Sequence, residues 1–215
     1  MEDIKIVIDA GHGGNDNGAV SSNVREKDLT LMISKDMYEK LRNMGAQVSL
    51  IRSVDESLSP NERVNRILEA YGDSSNVIVI SNHINSNPTP NSAEGAEVIY
   101  ALRNDDKFAQ NILKELEKEG QIPRRAYQRR SEINPQKDYY FIHRQTCLTQ
   151  PVIVEYGFIN NEKDLEKIQN NYQKYVDGVI RAIIETFNPE FAKEGNETSS
   201  IDTSNDVYIN YVVRN

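Results

Sequence analysis

Three separate apolar runs constrain the fold of this 215-residue chain more than any other feature. They span Ile4 to Asp9, Val77 to Ser81 and Pro151 to Glu155. Short continuous apolar runs are typical of strands that are buried on both faces of a sheet. Helix-like segments lie between the runs. The sequence therefore predicts an α/β fold, a single domain with a mainly parallel or mixed twisted sheet flanked by helices.

The segments between these runs supply the helices and the remaining strands. Helices are predicted over 26–44, 59–72 and 104–120, with two short helices before residue 187. Further strands are predicted over 47–52, 96–101 and 139–143. The second helix has the clearest start, because Ser59 precedes Pro60 and Glu62 occupies the capping-box position. Residues 121–138 are basic and are predicted to form a loop.

The composition changes near residue 190, so the predicted catalytic domain spans 1–190. Residues 191–206 are rich in Ser, Thr, Asn and acidic side chains, which predicts a polar linker. Residues 207–215 alternate like a strand. We expect this segment either to return to the domain or to begin a further module.

The overall charge and hydropathy exclude two classes of partner. A net charge of −8 disfavours nucleic acid, whose phosphates need a basic surface. No apolar run approaches the roughly 18–20 residues that cross a bilayer, so membrane insertion is not expected. The N-terminus has neither a basic region nor a small-residue cleavage site, so it does not read as a signal peptide.

The few histidines and the single cysteine limit the metal chemistry that is open to the chain. Cys147 alone excludes an intramolecular disulfide and a cysteine-rich zinc site. His12 and His83 follow predicted strands, at the edge where α/β sheets bind ligands. With Glu26, which begins a helix, they form the two-histidine, one-glutamate pattern of catalytic zinc. Glu155 ends an apolar run, where an unpaired charge is costly, and suits a general base.

Each of these residues also has a purely structural explanation. The glycine-rich segment 11–14 fits a tight turn equally well. Glu26 fits the acidic first turn of a helix. A phosphate-binding loop is disfavoured, because the Lys-Ser/Thr ending and the G-x-G-x-x-G spacing are missing. The residue chemistry alone leaves a metal site and a set of structural residues both open.

Four dispersed motifs give the chain a family resemblance. They are Asp9-Ala10-Gly11-His12-Gly13-Gly14, Glu26-Lys27, Ser81-Asn82-His83-Ile84-Asn85-Ser86 and Val154-Glu155-Tyr156-Gly157-Phe158-Ile159-Asn160-Asn161. In this order they resemble the zinc-dependent N-acetylmuramoyl-L-alanine amidases of the type-3 catalytic family. That family occurs in bacterial autolysins, sporulation lytic enzymes and phage endolysins. The resemblance covers about residues 4–187.

The resemblance implies a zinc hydrolase with one Zn²⁺ per chain. Its ligands would be His12, Glu26 and His83, and Glu155 would be the catalytic residue. The implied reaction cleaves the amide between the lactyl group of N-acetylmuramic acid and L-alanine of the peptidoglycan stem peptide. The alternatives are a partner-regulated or non-catalytic peptidoglycan-binding module and a zinc peptidase on the same fold.

The substrate-binding candidates are Asn85, Arg129, Arg130 and Arg144. The arginines belong to a basic cluster, with Arg124 and Arg125, that could hold stem-peptide carboxylates. A solvated flexible loop explains the cluster equally well. His143 stands where the family usually has an aliphatic residue, so we expect it to pack rather than to bind metal.

The resemblance also extends to the end of the chain and to its location in the cell. Residues 206–215 resemble the opening strand of a LysM module, which suggests a wall-binding module C-terminal to this chain. We expect cytoplasmic synthesis with release to the cell wall, as for an endolysin or a mother-cell lytic enzyme. Export is the alternative if a leader has been removed.

Overall fold

Helices cover both faces of a six-stranded mixed sheet in the computed structural model, which describes residues 4–190. In chain order the elements are β1 (Lys5–Ala10), β2 (Val20–Ser21), β3 (Val24–Arg25), α1 (Glu26–Asn43), β4 (Gln47–Leu50), α2 (Pro60–Tyr71), β5 (Val77–Asn85), β6 (Ala96–Tyr100), α3 (Lys107–Lys118), β7 (Pro123–Tyr127), α4 (Phe141–Gln145), β8 (Gln150–Phe158) and α5 (Glu162–Phe187). The short strands β2 and β3 pair only with each other. This architecture confirms the predicted fold class.

The strand order of the sheet is β4-β1-β5-β8-β6-β7. The strands β1, β4, β5 and β8 are parallel, whereas β6 runs antiparallel to β8 and parallel to β7. From β1 the chain passes to β4 on one side and then to β5 on the other. The carboxyl ends of β1 and β5 therefore border a topological switch point, where open α/β sheets bind ligands.

The two sheet faces bury different sets of side chains. One face packs Ile6, Ile8, Ile78, Ile80 and Val154 against the helices α1, α3 and α5. The opposite face, which we call the site face, buries Val7, Val79, Ile99 and Ile153 near α2 and the α4 residue Ile142. Each fully buried aliphatic side chain contributes about 1.5–3 kcal/mol, so both faces stabilise the sheet.

Near the carboxyl ends of the strands, the side chains that lie on the site face are polar instead of apolar. Successive residues of a strand alternate between faces. Asp9 therefore follows Val7, Ser81 and His83 follow Val79, and Glu155 follows Ile153. The apolar part of the site face fixes the register that brings these polar groups to one edge.

The predicted strand over 139–143 is wrong, because this segment begins the short helix α4. Its aromatic residues favour a strand locally, but packing buries Ile142 and His143 together. Arg103 stabilises the end of the helix by donating hydrogen bonds to the carbonyl of His143 and the hydroxyl of Thr146.

Two other boundaries also differ from the predictions. The predicted loop over 121–138 contains the edge strand β7, which begins with Pro123 and carries exposed arginines, features that are typical of edge strands. The structure has one long helix, α5, in place of the two short C-terminal helices that were predicted. This helix packs against α3, and Gly178 lies at the contact. In addition, β5 and β8 extend beyond their predicted ends, so His83 and Glu155 lie within strands.

Two predicted helix starts are confirmed in the described residues. The capping box of α2 is present, with the Ser59 hydroxyl accepting from the Glu62 amide. The helix α1 begins at Glu26 as expected. No described helix is long and apolar enough to span a membrane. The predicted linker 191–206 and tail 207–215 lie outside the described residues, so the domain boundaries stay predictions.

Candidate metal centre

His12 is held in the turn that follows β1. Its φ of 61° lies in the left-handed region, which non-glycine residues seldom adopt and which recurs at functional sites. Arg63 of α2 fixes this turn by donating hydrogen bonds to the carbonyls of His12 and Ala10, both at 2.8 Å. The turn is thus set by a buried arginine.

The Glu26 carboxylate contacts both histidines of the centre. The hairpin of β2 and β3 leads into α1, and the Glu26 carboxylate accepts hydrogen bonds from the amides of Ala19 (2.9 Å) and Ile84 (3.0 Å). One oxygen lies 3.1 Å from His12 Nε2 and the other lies 3.0 Å from His83 Nδ1. This buried carboxylate therefore lies between the two imidazoles.

The three predicted ligands form a compact donor set. Each of His12, Glu26 and His83 offers one ligand atom, and these atoms lie within 4.8 Å of one another. Asp16 Oδ2 lies 2.8 Å from His12 Nδ1, which leaves the other ring nitrogen of His12 directed at Glu26. A carboxylate on the far nitrogen of a histidine is the usual way in which proteins orient metal-binding imidazoles.

The electrostatics of the centre favour a cation. Burial would raise the pKa of Glu26, but its hydrogen bonds to the two histidines hold that pKa well below its ordinary value. Burial would lower the pKa of His83, but the hydrogen bond and charge of Glu26 outweigh it and raise the pKa to about 9. A carboxylate that stabilises a proton on an imidazole stabilises a metal cation in the same place. The residues present therefore fit a divalent metal with histidine and carboxylate ligands.

Glu155 lies beside this donor set but does not belong to it. It is the register partner of His83 on the adjacent parallel strand, and its Oε2 is buried without a hydrogen-bond partner. Burial, with smaller contributions from Glu26 and Glu97, raises the pKa of Glu155 to about 7. A carboxyl group of this pKa can accept and release a proton near neutral pH.

A cavity of about 200 Å³ opens over these groups. His12, His83 and Glu155 line it on the site face, and the aromatic residues Tyr140 and Phe141 at the start of α4 line it as well. The cavity thus brings together the two histidines of the donor set, the unpartnered carboxyl group and apolar side chains, as expected for a hydrolytic site.

The sequence of residues 6–185 matches the N-acetylmuramoyl-L-alanine amidase family. The chain belongs to this family. The predicted family resemblance is therefore confirmed.

Several proteins of known sequence are similar to the chain, and two of them are named amidases. It is 32% identical over 190 residues to the uncharacterized protein YqiI of Bacillus subtilis and covers 84% of that protein. It is also 32% identical to N-acetylmuramoyl-L-alanine amidase LytC of the same organism, with 79% of this chain aligned. The chain spans only 32% of LytC and 58% of the probable cell wall amidase LytH of Staphylococcus epidermidis.

Solved amidase structures share the fold. The amidase from Clostridium difficile 630 is 26% identical, with a TM-score of 0.74 over 86% of this chain and 97% of that one. Cwp6 from C. difficile matches with a TM-score of 0.76 and 26% identity over 86% of this chain and 29% of its own. The CwlD amidase of Clostridioides difficile, solved in complex with the GerS lipoprotein, is 26% identical over 85% of this chain and 97% of its own, with a TM-score of 0.69.

The amidase centre depends on buried residues that the sequence reasoning missed. Asp9 accepts hydrogen bonds from Arg63 and from the Ser81 hydroxyl, and all three side chains are buried. Lys27 donates to the carbonyl of Gly14 at 2.6 Å and pairs with Asp55 at 2.8 Å. Asp9 begins the motif that contains the glycine-rich turn, and Lys27 directly follows Glu26. Their positions within two of the family motifs could have indicated that they support the centre. Arg63 carried no such signal.

The predicted substrate residues have other contacts in this amidase. Arg129 stacks over the Tyr139 ring at 3.6 Å from its centroid. Arg130 and Arg144 donate hydrogen bonds to the carbonyls of Pro135 and Asp138, both at 2.8 Å. Asn85 donates to Glu97, as discussed below. The cavity lining includes none of these four described residues, so their role in substrate binding stays a prediction.

Proposed function

We propose that this chain is a zinc-dependent N-acetylmuramoyl-L-alanine amidase acting on the bacterial cell wall. It cleaves the amide between the lactyl group of N-acetylmuramic acid and L-alanine of the stem peptide. The observation that carries this proposal is the adjacency of two features at one edge of the sheet. The donor set of His12, Glu26 and His83 lies next to Glu155, whose buried Oε2 has no partner.

His12, Glu26 and His83 would hold the zinc ion. A bound Zn²⁺ supplies Lewis acidity, which lowers the pKa of water towards about 7 and polarises the amide carbonyl. Asp16 keeps the His12 ring in its orientation, and Arg63 keeps the His12 turn in place. These contacts hold the ligands in position before substrate binds.

Glu155 carries the protons of the reaction. Its Oε2 takes a proton from the attacking water while the hydroxyl oxygen bonds to the lactyl carbonyl carbon. The same carboxyl group then delivers a proton to the nitrogen of L-alanine as the carbon–nitrogen bond breaks. The products are a lactyl carboxylate and a free amine. A pKa of about 7 suits both transfers.

The walls of the cavity favour an amide substrate over bulk water. Tyr140, Phe141 and Leu58 contribute apolar surface to the lining of the cavity. Displacement of water by the substrate strengthens each electrostatic interaction of the site. The start of α4 and the loop before α2 thus supply the apolar side chains beside the centre.

The direct test is hydrolysis of N-acetylmuramoyl-L-alanyl-D-isoglutamine by the purified, zinc-loaded chain. We expect release of N-acetylmuramic acid and the dipeptide, about one zinc per chain, and loss of activity with a chelator. Glu155→Gln is the matched control, since it should keep the zinc and lose turnover. Cleavage between the two amino acids would instead indicate a peptidase. Binding without any cleavage would indicate a non-catalytic module.

A further inference from the structure

Four polar residues form a row across four adjacent strands of the site face. His83 on β5 is the register partner of Glu155 on β8, which is the partner of Glu97 on β6, which in turn is the partner of Arg125 on β7. Register partners on adjacent strands project their side chains to the same face. The row therefore connects the metal centre with the edge of the sheet.

An irregularity in β7 directs a second arginine into this row. Ala96 pairs with Pro123, whereas Glu97 pairs with Arg125, so β7 contains one extra residue at Arg124. Such bulges redirect side chains and are common beside active sites. As a result, Arg124 Nε and Arg125 Nε both donate to Glu97 Oε1, at 2.7 and 3.0 Å.

Glu97 is a buried anchor for these two arginines. Its side chain is 2% exposed, and it also accepts hydrogen bonds from Asn85 (3.1 Å) and Tyr127 (3.4 Å). One carboxylate thus faces two guanidinium groups, which leaves the cluster with an excess positive charge. Arg125 also stacks over the Tyr127 ring at 4.1 Å, which fixes its plane.

The arginines keep donors available for a ligand. Their side chains are 41% and 56% exposed for Arg124 and Arg125, and Arg124 uses only its Nε in its bond to Glu97. A guanidinium that is held in place and partly exposed is well suited to bind a carboxylate with two parallel hydrogen bonds.

We propose that Arg124 and Arg125 form a subsite for a substrate carboxylate on the peptide side of the cleaved amide, with Glu97 as its positioning residue. This inference rests on the proposed function. Strands lie about 4.8 Å apart, so Arg125 is about 10 Å from Glu155 across two strand spacings. An extended peptide spans about 3.3–3.6 Å per residue. The carboxylate therefore belongs to the second or third residue of the stem peptide.

The second residue offers the clearest probe of this subsite. A glutamate that is linked through its γ-carboxyl group has a free α-carboxylate, and isoglutamine carries an uncharged carboxamide in its place. N-acetylmuramoyl-L-alanyl-D-glutamate γ-methylamide and its isoglutamine γ-methylamide analogue therefore differ only in this α-carboxylate, because the γ-carboxyl group is capped in both. We expect a KM about tenfold lower for the carboxylate substrate, the scale of a charge-assisted hydrogen bond.

Variants of the arginines separate this subsite from a purely structural ion pair. Arg125→Gln, alone or with Arg124→Gln, should bring the two KM values together while kcat on the carboxamide substrate stays within about twofold. Arg125→Lys should keep part of the preference, and Glu97→Gln should reduce it. Arg42→Gln, which changes an exposed arginine paired with Glu39 on α1, is the matched control and should leave the preference intact. Thermal unfolding of each variant checks the fold.

The ratio of the two KM values, and not the activity itself, tests the subsite. Equal KM values in the parent protein, or an unchanged ratio in the double variant, would overturn the subsite while leaving amide cleavage intact. Calorimetric binding of both ligands to the zinc-loaded Glu155→Gln protein tests the subsite without turnover. A preference there that disappears with Arg125→Gln supports the subsite, and equal affinities would overturn it. Failure of the proposed function would appear separately, as no cleavage of either substrate by the parent protein.

Discussion

Glu97 and Glu155 lie directly opposite one another on the antiparallel strands β6 and β8, but their surroundings differ. Glu97 accepts hydrogen bonds from two arginines, whereas Glu155 Oε2 is buried without a partner. Burial without a partner raises the pKa of Glu155 to about 7, whereas the Glu97 carboxylate is held by the two guanidinium groups. We therefore assign the anchoring role to Glu97 and the proton transfers to Glu155.

Replacement of Glu155 should remove turnover and keep the fold. We expect Glu155→Gln to lower kcat by about 10²–10⁴-fold, the usual contribution of a general acid–base group. Zinc content and the melting temperature should match the parent protein, since Glu155 is not a ligand in this account. Steady-state kinetics with a muramoyl dipeptide measures the effect. Glu94→Gln, which changes a carboxylate paired with Lys167, is the control. A kcat within a few-fold of the parent value would remove Glu155 from the mechanism.

Loss of the Asp16 carboxylate should weaken zinc binding. Asp16 orients the His12 ring through a contact of 2.8 Å, and loss of such partners typically reduces metal affinity about 10–100-fold. Competition with a chromogenic chelator measures the affinity of Asp16→Asn. Asp28→Asn is the control, because Asp28 is exposed and pairs with Arg25 rather than with the metal centre. Equal affinities of the two variants would argue against this orienting role.

A methyl group at Gly11 should displace a metal ligand. A Cβ at this position would lie 2.5 Å from His83 Nε2, closer than atoms can approach. We expect Gly11→Ala to lose most of its zinc. Gly45→Ala is the control, because its φ of +74° makes the substitution strained but no atom lies within 4 Å of the new Cβ. Metal analysis after gel filtration distinguishes the two variants, and full zinc occupancy in Gly11→Ala would contradict the observed packing.

His143 should make the stability of the fold depend on pH. Burial, with a smaller effect of the Arg103 charge, lowers its pKa from 6.5 to about 3, and its nearest carboxylate oxygen, on Asp138, is 3.9 Å away. Between these values the unfolded chain binds a proton that the folded protein does not. The free energy of unfolding is therefore unaffected by His143 above pH 6.5 and decreases as the pH falls towards 3. The decrease due to His143 is about 2 kcal/mol at pH 5.

Denaturant unfolding at two pH values tests this linkage. We expect His143→Met to lose less stability than the parent protein between pH 7.5 and pH 5, by about 2 kcal/mol. Both ring nitrogens of His143 lack hydrogen-bond partners, so an apolar side chain of similar size fits the site. An identical pH dependence in both proteins would show that His143 does not supply this proton linkage.

The buried strands and the motif residues were predictable because local sequence determines them. Continuous apolar runs specify β1, β5 and β8, and the ordered motifs identified His12, Glu26 and His83 as candidates that the fold brings together. The sequence also placed Glu155 close to them. These features depend on periodicity and on residue type, which a single sequence displays directly.

The remaining features depend on contacts between distant segments. Arg63 of α2 reaches the turn of His12 from 51 residues away, and no local pattern marks it. The helix α4 has a strand-like sequence that tertiary packing overrides. The pairing of Arg124 and Arg125 with Glu97 requires the bulge in β7. The sequence predicts a loop for the segment that contains β7. Register and bulges arise from strand pairing, so they could not be read from the segment alone.

Mass spectrometry of purified peptidoglycan digested by the zinc-loaded chain tests the proposed reaction most directly. We expect stem peptides with a free L-alanine amino terminus, together with glycan strands whose lactyl groups end in unsubstituted carboxylates. Neither product should form with Glu155→Gln or after chelation of the metal. Peptides cut within the stem, with L-alanine still attached to muramic acid, would contradict the assignment.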